Sequence, residues 1–343
     1  MNSRQRVIAA LQRKQPDRVP LFECVIDERV MDALLPGCDY FAFNDWIGLD
    51  NASQNRSSWS RDNVEYIDEA KGLFRDNWGV IRAFGPESTP VPIEGPIRRP
   101  EDLKTYEPPD PSADGVLGHL PEVIARYKGE KAISAICRDA FFNPAFLRGT
   151  SQFLMDMIER PMFVHELIEV ALSHDIPAMV RMVEAGADVI VFGDDYADKN
   201  ATLMSPKHFQ QFILPGLQRC VDAAHDAGAY VVKHTDGNVM GILDMLVETG
   251  IDALNPIEPQ AGMDIGLIKR KYGDRIALIG NIDCGYLLSQ APTEEVRRVT
   301  RETIEVAAPG GGYCLSSSNS IHSSVRPENL MAMVETLREC GGY

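Results

Sequence analysis

The sequence predicts an α/β protein: a (β/α)8 TIM barrel with an N-terminal insertion over the barrel mouth. Three observations carry this. Apolar, β-branched runs alternate with helical segments at roughly 30-residue spacing, the mark of βαβ units in series. The runs are unbroken, as strands buried on both faces are. No Gly-rich dinucleotide loop follows the first run, which favours a closed barrel over an open doubly wound sheet.

The elements follow in order. Ser3 is expected to cap a helix to about Lys14, ended by Pro16-Asp17-Arg18. Val19–Cys24 is short and apolar and reads as the first barrel strand, with Glu23 near its end. Residues 40–110 differ in texture: they hold all three tryptophans, many Asp and Asn, and short β-like runs such as 79–84. This stretch is expected to be a hairpin or lid over the mouth, closed by Pro108-Pro109-Asp110-Pro111. A helix over Leu120–Tyr127 then precedes a strand over 132–139, and helices follow at about 151–158 and 161–184. The strand 188–195 comes next, and Ser205-Pro206 opens a helix that runs past Pro215 to Ala227, where Gly228 ends it. Strand–helix pairs continue to the C-terminus, and Pro327 opens the last helix. The whole chain, 1–343, reads as a single barrel domain.

Bulk properties exclude several classes. A net charge of -16 lacks the basic footprint that nucleic acid or an anionic membrane requires. Seven cysteines without CxxC spacing suggest no disulfide framework, so a reducing cytoplasm is the expected compartment. No signal peptide is expected, because residues 1–15 are charged and amphipathic, and no apolar run approaches the ~20 residues of a membrane span.

The chemistry is expected at the strand ends, where barrel active sites collect. Val231-Val232-Lys233-His234-Thr235-Asp236 is an apolar strand that stops in His-x-Asp. Residues two apart face one side of a strand, and a histidine nitrogen beside a carboxylate suits a divalent metal. Glu258 ends the next strand, ~4.8 Å away, and Asn319 ends the last. His234, Asp236, Glu258 and Asn319 are thus the candidate ligands of a hard site. A plainer reading has His234 orienting a loop and Asp236 starting the Gly237-Asn238 turn.

Asp194 and Asp195 share one strand end, where repulsion between neighbouring carboxylates would raise one pKa and make a general acid. His322, on a polar loop at the same face, could move protons. Glu23, Asn281 and Asp283, at other strand ends, are expected to face substrate. Cys284 and Cys314 read as buried rather than nucleophilic.

At these residues the chain resembles the uroporphyrinogen decarboxylase superfamily, in its branch of corrinoid-dependent methyltransferases. The resemblance rests on Pro16-Asp-Arg-Val-Pro20, the Ser205-Pro206 helix, His234-x-Asp-Gly-Asn238, Gly280-Asn-Ile-Asp283 and Gly310–Asn319. It implies zinc, which the methyltransferases hold with His-x-Cys and a distant cysteine; the matching positions here carry Asp236 and Asn319. The decarboxylases carry an arginine-rich motif after the first strand, whereas the stretch here, 22–28, is acidic. A many-carboxylate tetrapyrrole is therefore not the expected substrate. An oxygen-rich site is a harder Lewis acid than a thiolate-rich one. The expected reaction is O-demethylation: a methyl group moves from a methoxylated small molecule to a corrinoid carried by a separate corrinoid-binding protein. The alternative is a carboxy-lyase acting without metal on a small carboxylated substrate. The resemblance also makes a homodimer an expectation.

Overall fold

The computed structural model describes residues 1–53, 61, 64–85 and 89–343. Seven strands lie parallel in chain order: β1 (Asn51–Ser53), β6 (Ala132–Cys137), β7 (Val189–Phe192), β8 (Tyr230–His234), β9 (Ala253–Asn255), β10 (Ala277–Ile282) and β11 (Tyr313–Ser317). Between β1 and β6 a separate antiparallel sheet is formed by β2 (Tyr66–Asp68), β3 (Leu73–Arg75), β4 (Ile81–Ala83) and β5 (Val91–Glu94).

Both faces of the parallel sheet are apolar, and the two sets of alternate residues go to different cores. Phe22, Ala132, Val189, Val191, Val232, Ala253, Ala277, Ile279 and Cys314 meet in an inner cluster. Ile190, Phe192, Val231, Leu254, Leu278 and Leu315 belong to the outer layer, packed against the helices. The sheet curls because its two edges meet the same segment. Phe22 N–H donates to Leu315 O and Leu315 N–H to Pro20 O, while Asp50 N–H donates to Leu21 O, each at 2.9 Å. Leu21 pairs in parallel with Leu315. This irregular N-terminal segment takes the place of a further strand, and the result is a TIM-barrel-like cylinder.

The first helix, Ser3–Leu11, plugs the end from which the strands start: Val7, Ala10 and Leu11 enter the inner cluster. Its cap is Asn2 rather than Ser3, with Gln5 completing a reciprocal capping box. The helix stops at Leu11, short of the expected Lys14. Buried Asp50 ties this end together, accepting from Arg6 (2.6 Å), Arg18 (2.9 Å) and the Leu21 N–H (2.9 Å). Gly311 is required nearby, because a Cβ there would lie 2.5 Å from the Lys14 backbone.

Several other expectations meet the structure closely. The helix at Leu120–Tyr127 is present, as are helices Thr150–Glu159 and Pro161–Ala185. Ser205 caps the helix opened by Pro206, accepting the His208 N–H. A π-helical turn at Phe209–Ile213 precedes Leu214–Asp226, accommodating Pro215, which has no N–H to offer a preceding carbonyl. Helix Phe142–Arg148 was not anticipated.

Of the stretch 40–110, helix Tyr40–Ile47 and β1 are built into the barrel layer. The excursion therefore begins after Ser53, and its residues 54–60, 62–63 and 86–88 lie outside the described residues. The antiparallel sheet rests on helices Phe142–Arg148 and Pro161–Ala185. Ile97 N–H donates to Leu147 O (3.0 Å), and the Trp78 ring stands edge-on to His174 at 4.9 Å.

Candidate metal centre

Inward parity selects the residues of the site. On β8, Val232 faces the inner cluster, so His234 does too. On β7, Val191 faces in, so the inward series continues through Gly193 to Asp195, and Asp194 points the other way.

His234 is held in one tautomer. Asn255, at the end of β9, commits its Nδ2 to Ile279 O (3.2 Å), which leaves its oxygen facing His234 Nδ1 at 2.6 Å. Nδ1 therefore carries the proton and Nε2 presents a bare lone pair. That lone pair lies 3.5 Å from Asp236 Oδ1 and 3.7 Å from Asp195 Oδ1. Two ligands on a tetrahedral zinc at ~2.0 Å sit about 3.3 Å apart, so the spacing is that of three groups around one small cation.

Asp236 points to the same conclusion. Its Oδ2 accepts from Asn319 Nδ2, while buried Oδ1, the oxygen nearest His234 Nε2, makes no hydrogen bond among the described residues. Burial pushes its carboxyl up to about 6, with Asp195 and Glu258 adding repulsion and His234 opposing them. Asp195, His234 and Asp236 each bring one ligand atom within 4.8 Å of the others. The residues present fit a divalent metal.

Two expected ligands are placed differently. Glu258 is not in that cluster; its Oε2 accepts the Gly237 N–H (2.8 Å), and Asp195 takes the position expected of it. Asn319 turns its NH2 toward Asp236, and its oxygen accepts the Ser320 N–H (2.6 Å). It holds a ligand in place through its NH2 group. Asn255 was missed by sequence reasoning, although its place at a strand end one strand from His234 was a usable signal.

Asp194 is fully buried. Its Oδ2 accepts the N–H groups of Asp139 (3.3 Å), Phe141 (3.1 Å) and Phe142 (2.7 Å), which fixes the turn into helix Phe142–Arg148. Burial, and after it the nearby Asp139, push its carboxyl up, so the rise expected from an Asp194/Asp195 pair comes chiefly from burial and not from Asp195. Beneath it, buried Lys233 spans Asp139 Oδ2 (2.7 Å) and Asp194 O (2.8 Å).

Residues 76–340 match the family "Uroporphyrinogen decarboxylase (URO-D)". The chain belongs to the uroporphyrinogen decarboxylase family. Among its curated relatives, a uroporphyrinogen decarboxylase of Thioalkalivibrio sulfidiphilus is 28% identical over 54% of this chain and 51% of that one. A methylcobamide:CoM methyltransferase MtaA of Methanosarcina barkeri is 30% identical over 55% of this chain and 52% of that one. The chain thus spans about half the length of these relatives. In fold it is similar to a solved methyltransferase from Methanosarcina mazei, with a TM-score of 0.79, 21% identity and 99% of each chain covered.

Within this family barrel the remaining expected residues are distributed around the rim. Asp283 accepts from Gly285, Tyr286 and Leu287 N–H groups and from Gln260, so its carboxylate shapes a turn. His322 has both ring nitrogens engaged: Nε2 donates to Cys284 O (3.2 Å), and Nδ1 accepts from Ser324 N–H (3.3 Å). Asn281, near the end of β10, lines a pocket with Gln260, Asp283, Tyr286, Val299 and Thr303, on the side of helix Thr293–Ala307 and away from the His234 cluster. Glu23 is buried; it accepts the Ser317 N–H, and its other oxygen lies against Ser317 Oγ, both at 2.7 Å. Burial holds the Cys284 thiol up at about 12, consistent with an unreactive cysteine. Among the described residues no helix is long and apolar enough to cross a membrane.

Proposed function

We propose that this protein is a corrinoid-dependent methyltransferase that removes a methyl group from a methoxylated small molecule. The observation that carries the reading is the bare Nε2 of His234 set between single oxygens of Asp195 and Asp236 at the open ends of the strands. Zinc would be held by His234, Asp236 and Asp195, and when bound it supplies Lewis acidity at the ether oxygen that must keep the electron pair as its methyl group departs.

The chain's own residues prepare that place. Asn255 fixes the imidazole tautomer, Asn319 orients Asp236, and the Asp236 N–H pins Asp195 Oδ1 at 2.8 Å. Two carboxylates and one imidazole leave a ligand position for the ether oxygen. Oxygen ligands in place of thiolates favour that hard donor over a soft thiol. The acceptor corrinoid would arrive on a separate protein; a corrinoid as methyl carrier is in keeping with the methylcobamide in the name of one relative. Its contact is proposed to be the excursion after Ser53.

The test has two parts. Metal analysis after equilibration with zinc should find about one zinc per chain, lost in His234→Ala. Incubation with methoxyaromatics and a reduced corrinoid protein should form methylcobalamin. Retention of zinc by His234→Ala, or no methylation across a broad donor panel, refutes the reading. The decarboxylase relative favours a second reading, a carboxy-lyase on a small carboxylated substrate, which carbon dioxide release from the same panel would reveal.

A further inference from the structure

Two strands away from His234 a guanidinium lies across the inner rim. Cys137 is level with Phe192, and Phe192 with Lys233. One residue further, Arg138, Gly193 and His234 therefore share a layer, and the Gly193 N–H still donates to Cys137 O (3.0 Å). Ile136, Val191 and Val232 all pack in the inner cluster, so by alternation Arg138 and His234 both rise from the inward side. Strand spacing puts their backbones roughly 10 Å apart. Gly193 places no side chain between them. Arg138 crosses that gap: a Cβ on Gly193 would lie 3.6 Å from Arg138 Nη1, and Nη1 donates to Gly193 O.

The guanidinium is preorganised but only partly used. One face rests over the Phe142 ring, 5.0 Å from its centroid, and Phe142 is itself stacked on Phe146 at 4.8 Å. Its side chain remains 37% exposed. Asp194 Oδ1 lies 3.6 Å from Nη1, beyond hydrogen-bond length, and that oxygen has no hydrogen-bond partner among the described residues. Nε and Nη2 donate to nothing among the described residues. A planar fork of free N–H groups, stiffened by an aromatic face, matches a carboxylate bidentately.

We infer that Arg138 determines which donor the site accepts: a single-ring, carboxylate-bearing molecule, gripped by Arg138 at one end, with its reacting substituent at the His234 cluster. An aromatic acid holds its carboxylate and its reacting substituent at opposite ends of one rigid ring. The reacting end rests on the methyltransferase reading; the grip on the carboxylate does not.

Calorimetric titration separates the two. The probes are 4-methoxybenzoate and the neutral 4-methoxybenzamide, against metal-free and zinc-loaded protein. The wild type should prefer the acid. Arg138→Gln should lose roughly ten- to a hundredfold in affinity for the acid with little change for the amide, and Arg138→Lys should recover only part. Unchanged thermal unfolding and zinc content in both variants show that the fold is intact. No preference for the acid in the wild type, or equal acid binding by Arg138→Gln, overturns the inference. Arg138-dependent binding without methyl transfer refutes the reaction and leaves the grip standing. Turnover of neutral methoxyaromatics, with no preference for acids, does the reverse.

Discussion

At the residue scale, Glu23 shows how one proton can be located from heavy atoms. Ser317 Oγ lies 2.7 Å from Glu23 Oε2 and also contacts Asn319 O. A hydroxyl has one proton and cannot donate to both. The contacts are all satisfied if Glu23 is a neutral acid that donates to Ser317, which then donates to Asn319. Burial agrees, pushing Glu23 up to about 7 against partial opposition from the serines. The sign follows: the folded state holds this proton more tightly than the unfolded chain, whose glutamate titrates near 4.3. The wild type therefore loses stability as pH rises from about 4.5 to 7, by about 3 kcal/mol. Glu23→Gln keeps the shape and cannot titrate. Denaturant unfolding of the two proteins should converge at pH 4.5, and at pH 8 the variant should be the more stable. Parallel profiles would show that Glu23 is charged throughout.

Between elements, the closure of the cylinder depends on a carboxylate that no local pattern identifies. Asp50 is fully buried and receives Arg6, Arg18 and the Leu21 N–H. It joins the first helix, the N-terminal segment and β1 in one cluster. Without this carboxylate Arg6 keeps its two bonds to Asp17 (2.7 and 2.9 Å), but the Leu21 N–H and the inner N–H groups of Arg6 and Arg18 lose a charged acceptor, at a cost of about 1–3 kcal/mol. Asp50→Asn should lower the urea midpoint accordingly without changing the slope, whereas a drop under about 1 kcal/mol would mean that Asp17 alone is enough to hold Arg6. The same strand explains why the excursion was placed too early along the chain. Asn51-Ala52-Ser53 has no apolar run; its Asn51 is buried because Glu23 and Ser134 satisfy it. Those partners come from distant parts of the chain.

For the whole molecule, the antiparallel sheet and the barrel form one body through a close backbone approach at Gly95. A Cβ there would lie 2.1 Å from Leu147 O and 2.3 Å from Phe146 O, both carbonyls of the helix that Asp194 caps. Gly95→Ala should push the sheet off that helix. Limited proteolysis should then cut the 61–110 stretch faster than in the wild type, while zinc stoichiometry at His234 stays unchanged. Equal cleavage rates would show that the seat is carried by Trp78, Ile97 and Arg148 instead.

The chain by itself determined the alternating strand–helix plan and the pairing of His234 with Asp236 on one side of a strand. These follow from unbroken apolar runs and a side-chain period of two, which are local properties of a buried strand. Asp194 and Asp195 were not separable there, because Val189–Phe192 is apolar throughout and only packing shows that Val191, and with it Asp195, faces inward. Only the tertiary structure decided that Asn255 sets the imidazole tautomer, that Asn319 donates to Asp236, that Glu258 binds a backbone N–H, and that Arg138 leans across Gly193. Each of those depends on which distant atom takes up a hydrogen-bonding group first, and that competition is settled by packing across strands.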